Sequence, residues 1–259
     1  MDLGIKGRKA IVCAASKGLG KACAMSLARA GVDLVINSRT QETLEATAKE
    51  IADLTGVSVT AVACDISTSS GQKLVLEACP HPDILVNNNG GPPFRDYKEL
   101  DRDAMLTGVT QNMVTPIELI QATIDHMQAQ NFGRIVNITS GSVKMPLSGL
   151  DLSSGARAGL TAFLAGVSRS VAKDNVTINF LLPGAFDTDR LAGSIAKLAQ
   201  ASGISIEEAK VERGSTIPAG RLGTPAEFGE ACAFLCSAQA GYITGQNLLI
   251  DGGAFNGAF

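Results

Sequence analysis

Histidine is nearly absent from this chain: His81 and His126 are the only two in 259 residues, and they lie far apart. Hydrolytic sets of the Ser-His-Asp or Cys-His kind need an imidazole beside the nucleophile, so that chemistry has little material here. Tyrosine is just as scarce, with only Tyr97 and Tyr242. Six cysteines occur, at 13, 23, 64, 79, 232 and 236, and no two have CxxC spacing. Most sit inside apolar runs, which favours buried reduced thiols over disulfides or a metal site. A basic excess is also missing: the net charge of −3 argues against a nucleic-acid surface. No apolar run reaches membrane-spanning length, and Met1 to Ala10 is too polar for a signal peptide. The expectation is a cytoplasmic protein with neither nucleic acid nor membrane as partner. These absences direct attention to cofactor chemistry.

What is present is a strongly alternating pattern. Hydrophobic residues make up 45% and charged residues 18%, which suits a soluble protein with a large core. Short apolar runs near 9–13, 33–37, 58–63, 83–87, 133–139, 175–182 and 246–250 read as strands covered on both faces. Helical patterns fill the intervals near 17–30, 41–54, 70–79, 102–130, 154–173 and 225–238. Such alternation predicts an α/β fold: a three-layer, doubly wound parallel sheet of about seven strands, Rossmann-type, with 1–259 as a single domain. No linker, repeat or low-complexity tract divides it. The irregular stretch is 185–224, within which 189–212 reads as one or two amphipathic helices. A small helical lid over the carboxyl ends of the strands is one expectation, and a decorative helical pair is the other.

The first strand runs into Ala14-Ala15-Ser16-Lys17-Gly18-Leu19-Gly20, after which a helix opens. Glycines at 18 and 20 let the backbone approach a pyrophosphate held at the helix N-terminus. The second strand leads into Ser38-Arg39 instead of a carboxylate that could accept from a ribose 2′-hydroxyl. A guanidinium at 39 matches a 2′-phosphate, and Lys17 offers a second cation, so NADP(H) is the expected cofactor; two ordinary surface cations are the alternative. The turn resembles the TGxxxGxG motif of the short-chain dehydrogenase/reductase family, with Ala14 where that family has its first glycine. A methyl group at 14 is compatible with the turn if φ is negative.

The resemblance continues along the chain. Asp65-Ile66 resembles the family's adenine-contacting pair, and Asn87-Asn88-Asn89-Gly90 its NNAG segment, with Asn89 in place of alanine. Pro183-Gly184-Ala185-Phe186-Asp187-Thr188 resembles the PGxxxT segment that contacts the nicotinamide, and Tyr242–Gln246 and Asp251–Gly253 resemble the last strand. The cofactor set this implies is Ala14, Ser16, Lys17, Gly18, Leu19, Gly20, Ser38, Arg39, Asp65, Ile66, Asn88, Asn89, Gly90, Pro183, Gly184 and Phe186. In overall pattern the chain is similar to 3-oxoacyl-carrier-protein reductases.

At the catalytic position the match breaks. The family works with an Asn–Ser–Tyr–Lys set, in which tyrosine gives a proton to the carbonyl oxygen and lysine binds ribose and lowers the tyrosine's pKa. Asn112 and Ser140 match the first two members. Pro116, four residues after Asn112, lacks the amide that would bond its carbonyl. The family's serine–tyrosine interval leads from Ser140 to Ser153, and four residues more lead to Arg157. An aliphatic hydroxyl is not the acid that a phenol is, and an arginine stays charged across the accessible pH range. Lys144, in the loop after Ser140, is a candidate substitute acid if it is desolvated beside Arg157; a solvated loop lysine is the alternative. The loop Gly91-Pro92-Pro93-Phe94-Arg95-Asp96-Tyr97 is placed to line the pocket. Arg95, Lys144 and Arg157, if they converge, favour an anionic or strongly polar small-molecule substrate.

Three functions stay open at this stage. One is an NADP-dependent oxidoreductase acting on a carbonyl/hydroxyl pair with an altered proton relay. The others are an NADP-binding sensor or scaffold without turnover, and a non-redox lyase or isomerase using Lys144 or Arg157. The resemblance also implies a homotetramer paired through helices 102–130 and 154–173 and the last strand. Leu160, Phe163 and Leu164 are candidate contacts there, with core burial the alternative.

Overall fold

The structure is a computed structural model that describes residues 2–92 and 94–258; Met1, Phe259 and the loop residue Pro93 lie outside the described residues. Seven parallel strands form one sheet: β1 (Lys9–Val12), β2 (Asp33–Ser38), β3 (Val59–Ala63), β4 (Ile84–Asn87), β5 (Gly133–Ile138), β6 (Val176–Pro183) and β7 (Asn247–Ile250). Their order is β3-β2-β1-β4-β5-β6-β7, so the chain winds outward from β1 in one direction and then from β4 in the other. Between β1 and β4 the connections leave on opposite sides, which opens a crevice at the carboxyl ends of the strands.

The apolar runs are continuous because side chains alternate between two cores. Ala10, Val12, Leu34, Ile36, Ile84 and Val86 point to one face, whereas Ile11, Cys13, Val35 and Leu85 point to the other. The first face is covered by α1 (Gly18–Arg29), α2 (Gln41–Thr55) and α9 (Pro225–Leu235) through Cys23, Leu27, Leu44, Ile51, Phe228 and Cys232. The second is covered by α3 (Ser69–Ala78), α5 (Thr115–Ala129) and α6 (Asp151–Val171) through Val75, Leu119, Ile120, Leu160 and Leu164. Sheet and two helical layers make the three-layer Rossmann-type arrangement expected from the alternation. Close packing of α1 on α9 depends on Gly229, where a Cβ would stand 2.4 Å from the Ala22 carbonyl oxygen.

Several local expectations are corrected. The long helical pattern at 102–130 is not one uniform helix: α4 (Arg102–Val109) passes through a wide π-turn over Thr110–Val114 into α5. The turn lies just before Pro116, which cannot donate a backbone hydrogen bond to the preceding turn. Helix α6 starts at Asp151, before the expected residue 154, which draws Ser153 into its first turn. The 189–212 segment resolves into α7 (Asp189–Ser202) and α8 (Ile206–Ser215), the latter opened by a Ser205/Glu208 capping box. These two helices share a small core of their own, built on Ile195, Ala199 and Ala209. Leu160 and Leu164 are buried in the second main core and offer no surface, while Phe163 is 49% exposed. Among the described residues no helix is long and apolar enough to cross a membrane.

Candidate active site

The first turn is built by backbone. Ala15 N–H donates to the Asn37 carbonyl (2.8 Å), and Ala14 N–H to Asn37 Oδ1 (3.3 Å), which bends the chain sharply at the end of β1. Ala14 takes φ +48°, so the condition of a negative angle is not met: the alanine itself adopts the left-handed conformation. That costs on the order of 1 kcal/mol relative to glycine. Gly18 is also left-handed (φ +58°). At Gly20 a Cβ would lie 2.2 Å from the Ala14 carbonyl oxygen and 2.9 Å from Asn88 Nδ2, so the turn closes on a residue without a side chain. Helix α1 begins without a side-chain cap from Lys17, which leaves its first N–H groups directed at the crevice. Ser16 is held by its carbonyl, which accepts from Thr47 Oγ1 (2.8 Å), and Leu19 is half-buried against the first core.

The flank of the turn carries the expected cations, in unequal states. Arg39 is exposed beside half-buried Ser38, near enough to Asp65 to contribute to its lowered pKa, although hydrogen bonds from Ser67 are the larger cause. Lys17 instead makes an exposed ion pair with Asp189, 3.1 Å away at the start of α7. Ile66 is buried in the second core. Asn88 ties β4 to the turn by donating to the Ala14 carbonyl (3.4 Å); Asn89 donates to the Gln111 carbonyl (3.3 Å) and accepts from Gly90 N–H (2.8 Å). Pro183 ends β6, and Gly184 leaves no room for a Cβ, which would stand 2.6 Å from Asp251 Cβ. Phe186 departs from its expected place. Its ring is buried in the first core, edge-on to Phe228 with centroids 5.3 Å apart, so its side chain is not offered to the crevice.

Beneath the crevice runs a chain of amides. Asn87 Nδ2 donates to Asn137 Oδ1 (3.0 Å), and Asn137 Nδ2 to the Asn179 carbonyl (3.3 Å), linking β4, β5 and β6. Asn112 sits in the π-turn, buried, with its amide donating to the Gly108 carbonyl (3.1 Å). Asn87 Oδ1, Asn112 Oδ1 and Thr115 Oγ1 are buried without a protein partner. They border a cavity of about 20 Å³ that also reaches Arg157. A polar space of that size suits one water molecule.

Arg157 and Ser153 are both buried and bonded to each other. Arg157 Nε donates to Ser153 Oγ (3.2 Å), and Nη1 donates to the Ile138 carbonyl at the end of β5 (2.7 Å). Among the described residues no carboxylate forms a salt bridge with this guanidinium. Burial draws its pKa down to about 10, with the nearby positive charge of Arg190 adding to the effect. It remains a cation at neutral pH. Ser140, half-buried just after β5, accepts from Ser142 N–H (3.1 Å) and so keeps its own hydroxyl hydrogen for another partner. Lys144 does not meet the condition set for a substitute acid. It is exposed, with its ammonium 5.7 Å from the Phe255 ring centroid, and is not desolvated beside Arg157. Arg95 and Tyr97 are exposed as well. The cation that does approach Arg157 is Arg190 on α7. It had no signal in the sequence because it lies in the irregular segment, 33 residues after Arg157. Thr115 was missed for a similar reason: it reads as an ordinary polar residue until the fold buries it.

Comparison with known proteins places this arrangement. The family described as Enoyl-(Acyl carrier protein) reductase matches residues 13–254. The NADPH-dependent reductase BacG of Bacillus subtilis is 34% identical over 252 residues, covering 95% of this chain and 97% of that protein. The 3-oxoacyl-[acyl-carrier-protein] reductase FabG of Aquifex aeolicus is 31% identical over 262 residues, covering 98% of this chain and 100% of that protein. Among solved structures, L-sorbose reductase from Gluconobacter frateurii, complexed with NADPH and L-sorbose, superposes with a TM-score of 0.94 at 27% identity over 100% of both chains.

Proposed function

The chain belongs to the short-chain dehydrogenase/reductase family, and from that premise we propose that it is an NADP(H)-dependent oxidoreductase. It interconverts a carbonyl and a hydroxyl group on a small polar substrate, with a proton relay built differently from the family's. The cofactor reading is supported by three features of the chain: a turn that only glycine fits at position 20, the uncapped N–H groups of α1, and the exposed guanidinium of Arg39 beside Ser38. NADPH-dependent reductases among the relatives point the same way. When bound, NADPH supplies the hydride.

The single observation that carries the catalytic reading is the Arg157–Ser153 pair. A buried cation, fixed by two hydrogen bonds at the carboxyl end of β5, holds the hydroxyl at the position where the family has its phenol. Because Ser153 Oγ accepts from Arg157 Nε, its own hydrogen is free to point at a carbonyl oxygen. Ser140 is prepared in the same way by Ser142 N–H. Two hydroxyl donors backed by a desolvated guanidinium favour the negative charge that develops on that oxygen, which is the larger part of the work in carbonyl reduction. Ser153 then gives its proton to the alkoxide and is reprotonated from water. Asn112, Asn87 and Thr115 are placed to hold such a water in the small cavity beside Arg157.

The test is a panel of ketones and alcohols followed by nicotinamide absorbance, run on the native chain and on Ser153→Tyr with Arg157→Lys. If the pair is a working relay, the double variant loses turnover on the native chain's best substrate, because a phenol fills space meant for substrate. A double variant that gains general ketone reduction, from a native chain that has none, would show instead that the pair marks a lost activity and a binding role. A homotetramer belongs to the same reading. Exposed Met105, Leu106 and Val114 on the α4–π-turn segment, with Phe163 on α6, supply apolar surface for it. Sedimentation at micromolar concentration should then show about four times the 26.7 kDa chain mass.

A further inference from the structure

The geometry points to an anion site made by Arg157 and Arg190 together. We infer that it receives an oxyanion of the substrate, so that the natural substrate is a carbonyl or hydroxyl compound bearing a carboxylate or phosphate group. This rests on the oxidoreductase reading above.

Arg190 reaches across from α7 and donates to two backbone carbonyls of the loop after β4, Nη1 to Gly91 (3.3 Å) and Nη2 to Pro92 (3.3 Å). Arg157 comes to the same residue. A Cβ built on Gly91 would stand 2.9 Å from Arg190 Nη2 and 3.5 Å from Arg157 Nη2. Two guanidinium groups therefore flank one glycine, and any larger residue there would push Arg190 away. Like charges so placed repel, and one of them is buried, so the arrangement calls for a counter-charge.

The neighbouring acids do not supply it. Asp189, adjacent to Arg190, pairs with Lys17 (3.1 Å), and Asp187 pairs with Lys210 (3.2 Å). Asp251 is taken by the backbone N–H groups of Gly253 (2.9 Å) and Phe255 (2.7 Å). Each of these carboxylates is thus directed elsewhere, and among the described residues no atom accepts from Nη2 of Arg157 or Nε of Arg190. Forked, charged donors of this kind match carboxylate and phosphate oxygens. Arg157 brings the site to the carboxyl end of β5, where Ser153 and Ser140 stand, while Asp189, the neighbour of Arg190, pairs with Lys17 just before α1. Because Arg157 stands beside the two hydroxyls, the oxyanion is assigned to the molecule being reduced or oxidised, and the NADPH titration below separates it from the cofactor's phosphates.

The experiment measures binding, so it does not depend on turnover. Calorimetry on the NADP-loaded full chain compares acetoacetate with the neutral 4-hydroxy-2-butanone, and dihydroxyacetone phosphate with dihydroxyacetone. The expected result is at least tenfold tighter binding of one charged probe than of its neutral partner, with the better charged probe deciding between carboxylate and phosphate. Arg190→Ala and Arg190→Gln should each remove that advantage while NADPH affinity changes by less than twofold; Arg190 is exposed, so neither variant threatens the fold. Equal binding of charged and neutral probes, no binding of either charged probe to any form, or an advantage that survives both variants overturns the inference. So does a loss of NADPH affinity as large as the loss of anion affinity, which would assign the pair to the cofactor. Failure to bind NADPH at all would sink the oxidoreductase reading instead, and the same probes on the unloaded chain would then decide the anion site alone.

Discussion

The two ends of the crevice differ in what does the binding. At the β1 end, where we propose that the cofactor's pyrophosphate lies, the groups facing the crevice are backbone N–H groups, and a change of side chain is tolerated as long as the path of the chain survives. Ala14 shows this: it replaces a glycine of the motif, takes φ +48° itself, and leaves the turn intact. At the β5 end the groups are side chains, and two replacements of the family pattern, Ser153 and Arg157, remove the phenol, shorten the reach of the hydroxyl and put a guanidinium in place of an ammonium. The difference teaches that a backbone-built site records its function in spacing, whereas a side-chain-built site records it in identities. The first kind is robust to substitution and the second is not.

The sharpest way to break that comparison is to attack the backbone end where a side chain cannot be absorbed. Gly20→Val places a Cβ 2.2 Å from the Ala14 carbonyl, so the turn must open. NADPH binding should fall below detection by calorimetry, and the fold should lose about 2 kcal/mol by urea unfolding. Retained affinity would mean that the turn is not what binds the cofactor.

At the other end, Arg157→Met should lower kcat by about 10²–10³-fold, the usual cost of removing a donor from developing oxyanion charge. The same change should raise the stability of the cofactor-free chain by about 1 kcal/mol, because a buried unpaired charge is replaced by an apolar side chain. Chemical denaturation and steady-state kinetics read the two effects separately. In the native chain the burial penalty on this cation is fully present below its folded pKa of about 10 and is relieved as pH climbs from there towards the ordinary arginine range. Activity should run the opposite way and fall as pH rises through about 10, when the charge is lost.

The smallest expected effect sharpens the comparison within the cofactor end itself. Arg39→Ala removes an exposed cation that forms no salt bridge among the described residues, and with it a charge-assisted contact of about 1.5–3 kcal/mol. NADPH affinity should drop roughly tenfold or more while NADH affinity stays level in the same titration. An unchanged ratio would show that Ser38 and the backbone set the preference.

Much of this molecule was legible in advance, for reasons that are local. The five inner strands follow from runs of largely apolar residues, since a strand covered on both faces is mostly apolar along its length, and the partly exposed edge strands β3 and β7 still read as short apolar runs. The glycines at 18 and 20, the asparagines after β4 and the Ser140–Ser153–Arg157 register follow from fixed spacings along the chain. Helix ends were less legible. The π-turn before Pro116 and the early start of α6 depend on how those helices pack, and Ser153 is inside the helix because of it.

The sequence by itself determined the family of the fold, the place of the cofactor turn and the loss of the phenol, because each is written in short-range order. Only the tertiary structure decided which charges meet. Lys144, four residues from Ser140, turns outward to Phe255, and Phe186 turns inward to Phe228. Arg190 bonds a loop 99 residues earlier in the chain and comes up beside Arg157. No spacing rule reaches that far: the meeting of those two guanidiniums depends on where α7 docks over the loop after β4, and that is set by the packing of whole elements against one another.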